Sequence, residues 1–329
     1  MRRFLVLLCL LSCLPAAEAA AAPGSLSTWD TPQQRSVIRA GLLAPMADGR
    51  FRGEAPLTGH QLTLAFDGLA LSLGLPPLSL PGGPMSVAAF DRRMVDQLGL
   101  ADVAAAVDHG AWAAGLQPPT IFGTEVVARA LGLRFNHPFP AGEAIEPYPT
   151  DLITRAEAAW SLAAVLRFSG WEVAAVRAAF SAFTLPAYSD RQRAALRVAV
   201  SKIGMPYIWG GETDGPSYGQ VHGGYDCSGF VWRVFKETGL VHTISGRTAA
   251  QMAGEIPKSE RLRWTELRPA DLMFFGRAHF GSRATEANIV HTAIVLGNGW
   301  LINSSDQGVF VQPMEGWRHD DFAWGRRVV

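Results

Sequence analysis

The chain contains three cysteines in 329 residues, and their positions limit how a fold can be stabilised. Cys9 and Cys13 lie in an N-terminal stretch with the character of a removable leader, so a mature chain would keep only Cys227. An internal disulfide is then excluded, and a buried apolar core must hold the chain together. With 48% hydrophobic residues, the chain is apolar enough to form one. A lone cysteine in an exported protein pairs between chains, is buried and inert, or serves as a working thiol.

The N-terminus has the three regions of a secretory signal peptide. Two arginines precede an apolar stretch over residues 4–14, and alanines follow. We expect residues 1–22 to be removed on export to the periplasm or the extracellular cell wall. Alternatively, residues 10–13 form a lipobox, and Cys13 then carries a lipid anchor. No later run of about eighteen apolar residues occurs that could span a bilayer.

The charges of the chain balance. Lys and Arg together number 29, as do Asp and Glu, which gives a formal net charge of zero. Neither half carries a long run of one sign, so no electrostatic footprint for nucleic acid or an anionic membrane is present. Partners would be recognised by shape and specific contacts, and the sequence does not indicate an oligomeric state.

Two helix starts in the first half share one pattern. Residues 58–61 and 154–157 both fit a capping box. In this motif the threonine hydroxyl accepts a hydrogen bond from the backbone amide three residues later, and the side chain of that later residue accepts one from the threonine amide. Each box predicts an apolar helix of about four turns that ends near a glycine, Gly74 or Gly170. A weaker copy spans residues 120–132. The pattern indicates an internal helical repeat.

Residues 153–159, Ile-Thr-Arg-Ala-Glu-Ala-Ala, carry a further resemblance. They are similar to the most recognisable segment of S-layer homology repeats, helical modules that hold exported proteins on cell-wall polymers. The resemblance spans residues 56–170 and implies cell-wall glycan as a partner, with Arg155 as the binding residue. The alternative is a generic alanine-rich helical domain with well-made caps.

The pattern changes in the second half. Residues 190–203 predict an amphipathic helix, and glycine-rich loops, another helix and short alternating segments follow. This order predicts an α+β domain in which helices pack on an antiparallel sheet, preceded by a mostly helical domain. The predicted organisation is a signal peptide (1–22), an N-terminal extension (23–55), a helical repeat domain (56–175), a linker (176–189) and the α+β domain (190–329).

Cys227 lies where a helix is predicted to begin. Residues 226–229, Asp-Cys-Ser-Gly, follow a loop and precede an apolar stripe that ends at Gly239. The free amides and positive dipole end of a helix start favour thiolate over thiol. A nearby imidazolium would add to the effect, and lowering the pKa by two units corresponds to about 2.7 kcal/mol. We therefore expect Cys227 to be an activated nucleophile with a lowered pKa.

His291 is the best candidate for the partner base. It begins a predicted strand that residues 297–299 turn back into a second strand. If Leu296 pairs with Trp300 in this hairpin, Asn303 is the diagonal neighbour of His291 on the same face. Diagonal neighbours lie about 7 Å apart, close enough for an amide oxygen to orient an imidazole. The pattern suits a Cys/His/Asn triad, although a slip of one residue would turn Asn303 away.

The other histidines fit the role less well. His222 is near Cys227 in sequence but lies in a glycine-flanked loop, a poor platform for a rigidly held base, and it ranks second. His242, His279 and His319 have no partner at a recognisable spacing. No Cys-x-x-Cys or His-x-x-x-His spacing supports a zinc site, so we expect neither a metal nor another cofactor.

Several motifs now occur in a specific order: residues 204–211 (Gly-Met-Pro-Tyr-Ile-Trp-Gly-Gly), residues 226–230 (Asp-Cys-Ser-Gly-Phe), residues 268–275 (Arg-Pro-Ala-Asp-Leu-Met-Phe-Phe), His291 and Asn303. Over residues 190–329 this order resembles the NlpC-type cell-wall peptidases. These are papain-like cysteine endopeptidases, so the resemblance implies a papain-like fold. It also implies cleavage of peptidoglycan stem peptides, at the bond between the side-chain carboxyl of D-glutamate and a diamino acid.

By motif position, the resemblance implies that Cys227 is the nucleophile, His291 the base and Asn303 the third polar residue. The family often has histidine at that third position, and asparagine is a conservative departure because both accept a bond from imidazole. Tyr207 matches a family tyrosine beside the thiol, a donor to the oxyanion. The alternative for Tyr207 is a packed aromatic.

Asp226 and Ser228 match residues that bind the free amine of short stem peptides. Trp209 is a third predicted substrate-binding residue. For Asp226 a helix-capping role is equally compatible. Longer loops than the family pattern, over residues 211–225 and 276–290, leave substrate specificity open. Other functions also remain open: an amidase or acyltransferase on the same core, or a wall-anchored binding protein with a degenerate site.

Overall fold

A computed structural model describes residues 29–137, 146–215, 223–240, 244–277 and 284–329. The predicted leader, with Cys9 and Cys13, lies outside these residues. Among the described residues, no helix combines the length and apolarity needed to cross a membrane.

The first half is helical, as the sequence predicts. Its helices are α1 (Thr31–Arg39), α2 (Gly59–Leu73), α3 (Val87–Gln97), α4 (Ala101–Ala113), α5 (Phe122–Ala130), α6 (Arg155–Val165) and α7 (Trp171–Phe180). The chain segments that lead into α2, α3 and α6 meet through antiparallel bridges, Pro56 with Thr154 and Ser86 with Leu152. Three helix starts are thereby held side by side.

The two predicted capping boxes differ in the structure. At α2 both bonds form, because Thr58 accepts from the Gln61 amide and the Gln61 side chain accepts from the Thr58 amide. At α6 only the bond from the Glu157 amide to Thr154 forms. The Glu157 carboxylate instead pairs with Arg134 at 3.0 Å, because a buried guanidinium competes successfully for it.

The predicted helix ends also differ. Gly74 ends α2 in the left-handed conformation, with φ of 66°, as predicted. Helix α6 already ends at Val165, and Gly170 instead precedes α7. The prediction that Gly170 ends the same helix is wrong, since the chain turns between the two helices.

The predicted glycan-binding role of Arg155 is not supported by its position. Its side chain is buried, with 1% of the residue exposed. The guanidinium donates to the carbonyl oxygens of Phe51 at 2.7 Å and Ala44 at 2.6 Å, and it lies 4.6 Å from the centre of the Phe51 ring. Arg155 therefore joins α6 to the chain segment that precedes α2, through the two carbonyls that accept from its guanidinium.

The second half confirms the predicted α+β class, with helices packed on an antiparallel sheet. Its helices are α8 (Asp190–Ser201), α9 (Cys227–Glu237), α10 (Ala249–Gly254) and α11 (Trp317–Asp320). Its strands are β1 (Glu212–Thr213), β2 (Gly224–Tyr225), β3 (Leu272–Gly276), β4 (Ile289–Gly297), β5 (Trp300–Ser305), β6 (Gly308–Pro313) and β7 (Phe322–Arg326). The main sheet has the order β6-β5-β4-β3-β7, and β1 pairs with β2 beside it.

Alternating side chains of the main sheet face two apolar layers. On one face, residues such as Phe274 and Ile294 join a core that runs through both halves of the chain, from Val37 to Val328. On the other face, Met273 and Val295 belong to a smaller apolar layer. Helices α9 and α10 pack against β4, which places the start of α9 beside the middle of the sheet.

The turn between β4 and β5 is one residue shorter than predicted. Asn298 and Gly299 form it, with φ of 50° and 83°, the signature of a tight two-residue hairpin turn. Gly297 pairs with Trp300, so the predicted pair of Leu296 with Trp300 is wrong. An irregularity between Val295 and Gly297 absorbs the extra residue, and beyond it the strands keep the predicted register.

Residues 176–189, predicted to be a linker, belong to the core. They begin inside α7, and Phe180 and Phe183 pack on Trp300 with ring centres 4.8 Å and 4.9 Å apart. The Tyr188 hydroxyl donates to the carbonyl of Leu296 at 2.8 Å. Apolar side chains of the segment that the sequence predicted to be a linker therefore pack on the sheet.

Candidate active site

Cys227 is the first residue of α9, as the sequence predicts. Asp226 caps the helix by accepting a hydrogen bond of 2.6 Å from the Gly229 amide. The first turn lies so close to the preceding loop that a Cβ on Gly229 would be 2.0 Å from the Gly211 carbonyl oxygen. Helix start and loop are therefore fixed together, with Cys227 buried between them at 8% exposure.

His291 lies on β4, opposite Phe275 of β3. Its Nε2 is 2.8 Å from Oδ1 of Asn303 on β5. The Asn303 amide nitrogen donates to the Phe310 carbonyl at 3.4 Å, which orients Oδ1 towards the imidazole. An acceptor at Nε2 favours the tautomer with its proton there, so the lone pair of Nδ1 is left to accept another proton.

The Cys227 thiol lies against the strand that carries His291. Backbone N–H groups of Thr292, Ser228 and Cys227 near the sulfur favour its charged form and lower its pKa. Burial outweighs them, and with the nearby Asp226 charge it raises the pKa of Cys227 to about 11. The prediction of a lowered pKa is therefore wrong, because the loss of hydration exceeds what the helix start supplies.

Burial also has the largest effect on the pKa of His291. It lowers the pKa of the imidazole to about 4, against the opposing effect of the Asn303 hydrogen bond. The positive charge of Arg318 lowers this pKa further. At neutral pH the Cys227 thiol and the His291 imidazole are therefore both predominantly neutral.

Tyr207 lies half-buried beside the thiol. Its pKa is raised, first by burial and then by the charges of Cys227, Asp226 and Asp306. The phenol is therefore protonated, and able to donate a hydrogen bond, throughout the physiological range. Its role as a donor beside the thiol stays a prediction.

Asp226 and Ser228 are joined by a residue that the sequence did not single out, Arg247. Its Nη1 donates to Asp226 at 3.0 Å and to the Ser228 hydroxyl at 3.0 Å. Its Nη2 donates to the carbonyls of Gly210 at 3.0 Å and Gly211 at 3.1 Å. Nothing in the spacing could reveal this contact, because the partners lie about twenty positions apart and meet only in the fold.

This network changes the expectation for Asp226. Both carboxylate oxygens already accept protein donors, from the Gly229 amide, the Gly210 amide at 3.0 Å and Arg247. A carboxylate with these partners attracts a substrate ammonium less strongly than a free one would. The arrangement favours the helix-capping role among the two that the sequence allowed.

The remaining candidate residues are either exposed or lie outside the residues that the structure describes. Trp209 is 88% exposed and follows Tyr207 on the loop beside α9, where its indole faces solvent. His319 packs on Trp264 with ring centres 5.0 Å apart. His222, His242 and His279 lie outside the described residues. Within the described ranges, no group of three or more His, Cys, Asp and Glu side chains could hold a metal ion.

Comparison with known proteins identifies relatives of the second half of the chain. A model of the NlpC/P60 family matches residues 204–327. The "Probable endopeptidase p60" of Listeria grayi is 34% identical over 131 residues, which are 40% of this chain and 20% of that relative. The "Bifunctional muramidase/DL-endopeptidase CwlT" of Bacillus subtilis is 32% identical over 140 residues, 42% of this chain and 37% of that relative.

A solved structure is similar over the same region. RipD of Mycobacterium tuberculosis, described as a non-catalytic NlpC/p60 domain protein adapted to peptidoglycan binding, is 23% identical. The match covers 43% of this chain and 100% of RipD, with a TM-score of 0.34. The chain spans only about a fifth to two fifths of the two curated relatives, so the match concerns one domain. Residues 204–327 of this chain are an NlpC/P60 family domain.

Proposed function

We propose that this chain is an exported cysteine endopeptidase that cleaves peptidoglycan stem peptides, with Cys227 as its nucleophile. One observation carries the proposal: a cysteine at a helix start lies against a strand whose histidine is oriented by an asparagine, at 2.8 Å. The p60 and CwlT relatives are both named as endopeptidases, which supports the reaction class. Export rests on the leader predicted over residues 1–22.

In the first proposed step, the thiol and the imidazole both start in their neutral forms. Nδ1 of His291 accepts the thiol proton as the sulfur attacks the amide carbonyl carbon, so the pair forms charge only when substrate is present. Asn303 holds the ring in place through Nε2 and stabilises the imidazolium that results. The step conserves protons, since the one proton moves within the pair.

Donors beside the sulfur would stabilise the oxyanion of the tetrahedral intermediate. The backbone N–H of Cys227 at the helix start and the Tyr207 hydroxyl are the proposed donors. His291 then returns its proton to the leaving amine as the C–N bond breaks, which leaves a thioester on Cys227. Water, deprotonated by His291, attacks the thioester, and the C–S bond breaks to release the new carboxyl group. The imidazolium returns its proton to the departing Cys227 thiolate, which restores the starting state.

The proposed bond joins the side-chain carboxyl of D-glutamate to the diamino acid of the stem peptide. Its test is mass spectrometry of products from defined stem peptides, with a matched peptide linked through the glutamate α-carboxyl as control. We expect only the γ-linked peptide to be cut, with a free D-glutamate γ-carboxyl in the product. With a muropeptide as a further substrate, release of the intact stem peptide from muramic acid would instead identify an amidase, and no hydrolysis of any substrate would favour a binding protein.

A further inference from the structure

Arg129 of α5 links the helical half to the active-site half through a fully buried guanidinium. Nε donates to Glu125 at 3.0 Å, and Nη2 pairs with Glu146 at 2.7 Å. The same group reaches the other half, where Nη2 donates to the Gly204 carbonyl at 3.2 Å and Nη1 donates to the Gln307 carbonyl. A buried cation is tolerated only with such partners, so this contact is built into the fold.

Both carbonyls belong to backbone that leads into the active site. Gly204 begins the segment that carries Tyr207, and it is paired with β6 through Gly204 N to Val309 O at 3.0 Å and Val309 N to Met205 O at 2.8 Å. Gln307 lies in the turn between β5, which carries Asn303, and β6. One guanidinium therefore fixes the positions from which the oxyanion donor and the imidazole's partner project.

Two further contacts from the helical half reach the same region. The Asn136 amide donates to the Asp306 carbonyl at 2.5 Å, in the turn that Arg129 also holds. The Tyr148 hydroxyl lies 3.0 Å from the Asp214 carbonyl and accepts from the Gly223 amide, at the two ends of the loop that precedes Cys227. The helical half thus holds the active-site backbone at independent points.

We propose that Arg129 is a positioning residue for the proposed endopeptidase site, on whose function this inference rests, and that the helical half is a structural part of that site. The guanidinium suits the task because its planar fork spans two carbonyls and two carboxylates at once. A lysine would keep the charge, but its single ammonium cannot reproduce this spread of bonds.

The test compares Arg129→Lys with Arg134→Lys. Arg134 is equally buried in the helical half, but its partners Asp91, Glu157 and Ser161 all lie within that half. It therefore controls for general loss of stability. Turnover is measured well below both melting temperatures and is expressed per active site, counted by titration of Cys227 with a thiol reagent.

We expect Arg129→Lys to lower kcat by about 10- to 100-fold with little change in KM, since displaced catalytic groups slow the chemical step. Arg134→Lys should keep kcat within about twofold. Tyr148→Phe, which leaves the buried charges intact, should give a smaller fall in kcat. Equal losses in the two arginine variants, or an unchanged kcat in Arg129→Lys, would overturn the proposal.

A second measurement does not depend on activity. Hydrogen exchange at the Gly204 and Val309 amides reports whether the held backbone has loosened. Arg129→Lys should exchange there about tenfold faster than both wild type and Arg134→Lys. Unchanged exchange at both amides would refute positioning even if the wild type proves inactive on stem peptides, whereas inactivity by itself would count only against the proposed function.

Discussion

Cys227 and His291 lie in surroundings that disfavour charge on either side chain. A helix start stabilises an adjacent anion by about 0.3–1 kcal/mol at exposed sites and by up to about 2 kcal/mol in partly buried ones. Burial raises the thiol pKa to about 11, well above the ordinary value near 8.5, despite the N–H groups at the helix start. The sequence reveals the helix start but not the depth of burial, which is why it predicts the wrong direction for the pKa.

At the residue scale, the neutral pair predicts how Cys227 reacts with a thiol reagent. The rate of alkylation by iodoacetamide should rise with pH towards about 11, because only the thiolate reacts. Unfolded protein, with an ordinary thiol pKa near 8.5, supplies the control and should level off about two pH units earlier. A folded-state rate that is already high and constant at neutral pH would show that thiolate and imidazolium predominate instead.

At the scale of elements, the β4–β5 hairpin brings His291 and Asn303 together. The glycines and asparagine at 297–299 predict a turn, but not which two of the three residues form it. The observed pairs Ile294 with Ile302 and Val295 with Leu301 keep the predicted register, because the irregularity at Gly297 is confined to the turn. Side-chain alternation was thus enough to place Asn303 on the correct face.

The hairpin predicts the effect of changing Asn303. Asn303→Ala removes the acceptor at Nε2 and leaves the ring free to turn, so kcat should fall by about 100-fold. Asn303→His keeps an acceptor and should recover a large part of this loss. Steady-state kinetics on a stem peptide provide the measurement, and equal activities for the alanine and histidine variants would show that the 2.8 Å contact does not orient the base.

At the scale of the whole molecule, the two halves form one core. The sequence shows the helical half and the α+β half correctly, since both have strong local patterns. It does not show that Phe180 and Phe183 meet Trp300, or that Arg129 meets Gln307, because these contacts join residues more than a hundred positions apart. Local patterns therefore predicted a linker over residues 176–189, whereas in the fold this segment packs on the sheet.

A shared core predicts that the halves unfold together. Phe183→Ala, at the contact between Phe183 and Trp300, should destabilise the whole protein by about 3–5 kcal/mol. Thermal unfolding followed by calorimetry should show a single transition in wild type and variant, shifted to lower temperature in the variant. Two transitions, of which the substitution moves only one, would indicate independent domains.

The central claim is that Cys227 forms the acyl intermediate in peptidoglycan hydrolysis. Intact-protein mass spectrometry after acid quenching, during turnover of a γ-linked stem peptide, tests it most directly. An adduct with the mass of the acyl portion is expected on Cys227 of the wild type. Neither adduct nor turnover is expected for a folded Cys227→Ala variant. Undiminished hydrolysis of the stem peptide by that variant would show that Cys227 is not the nucleophile.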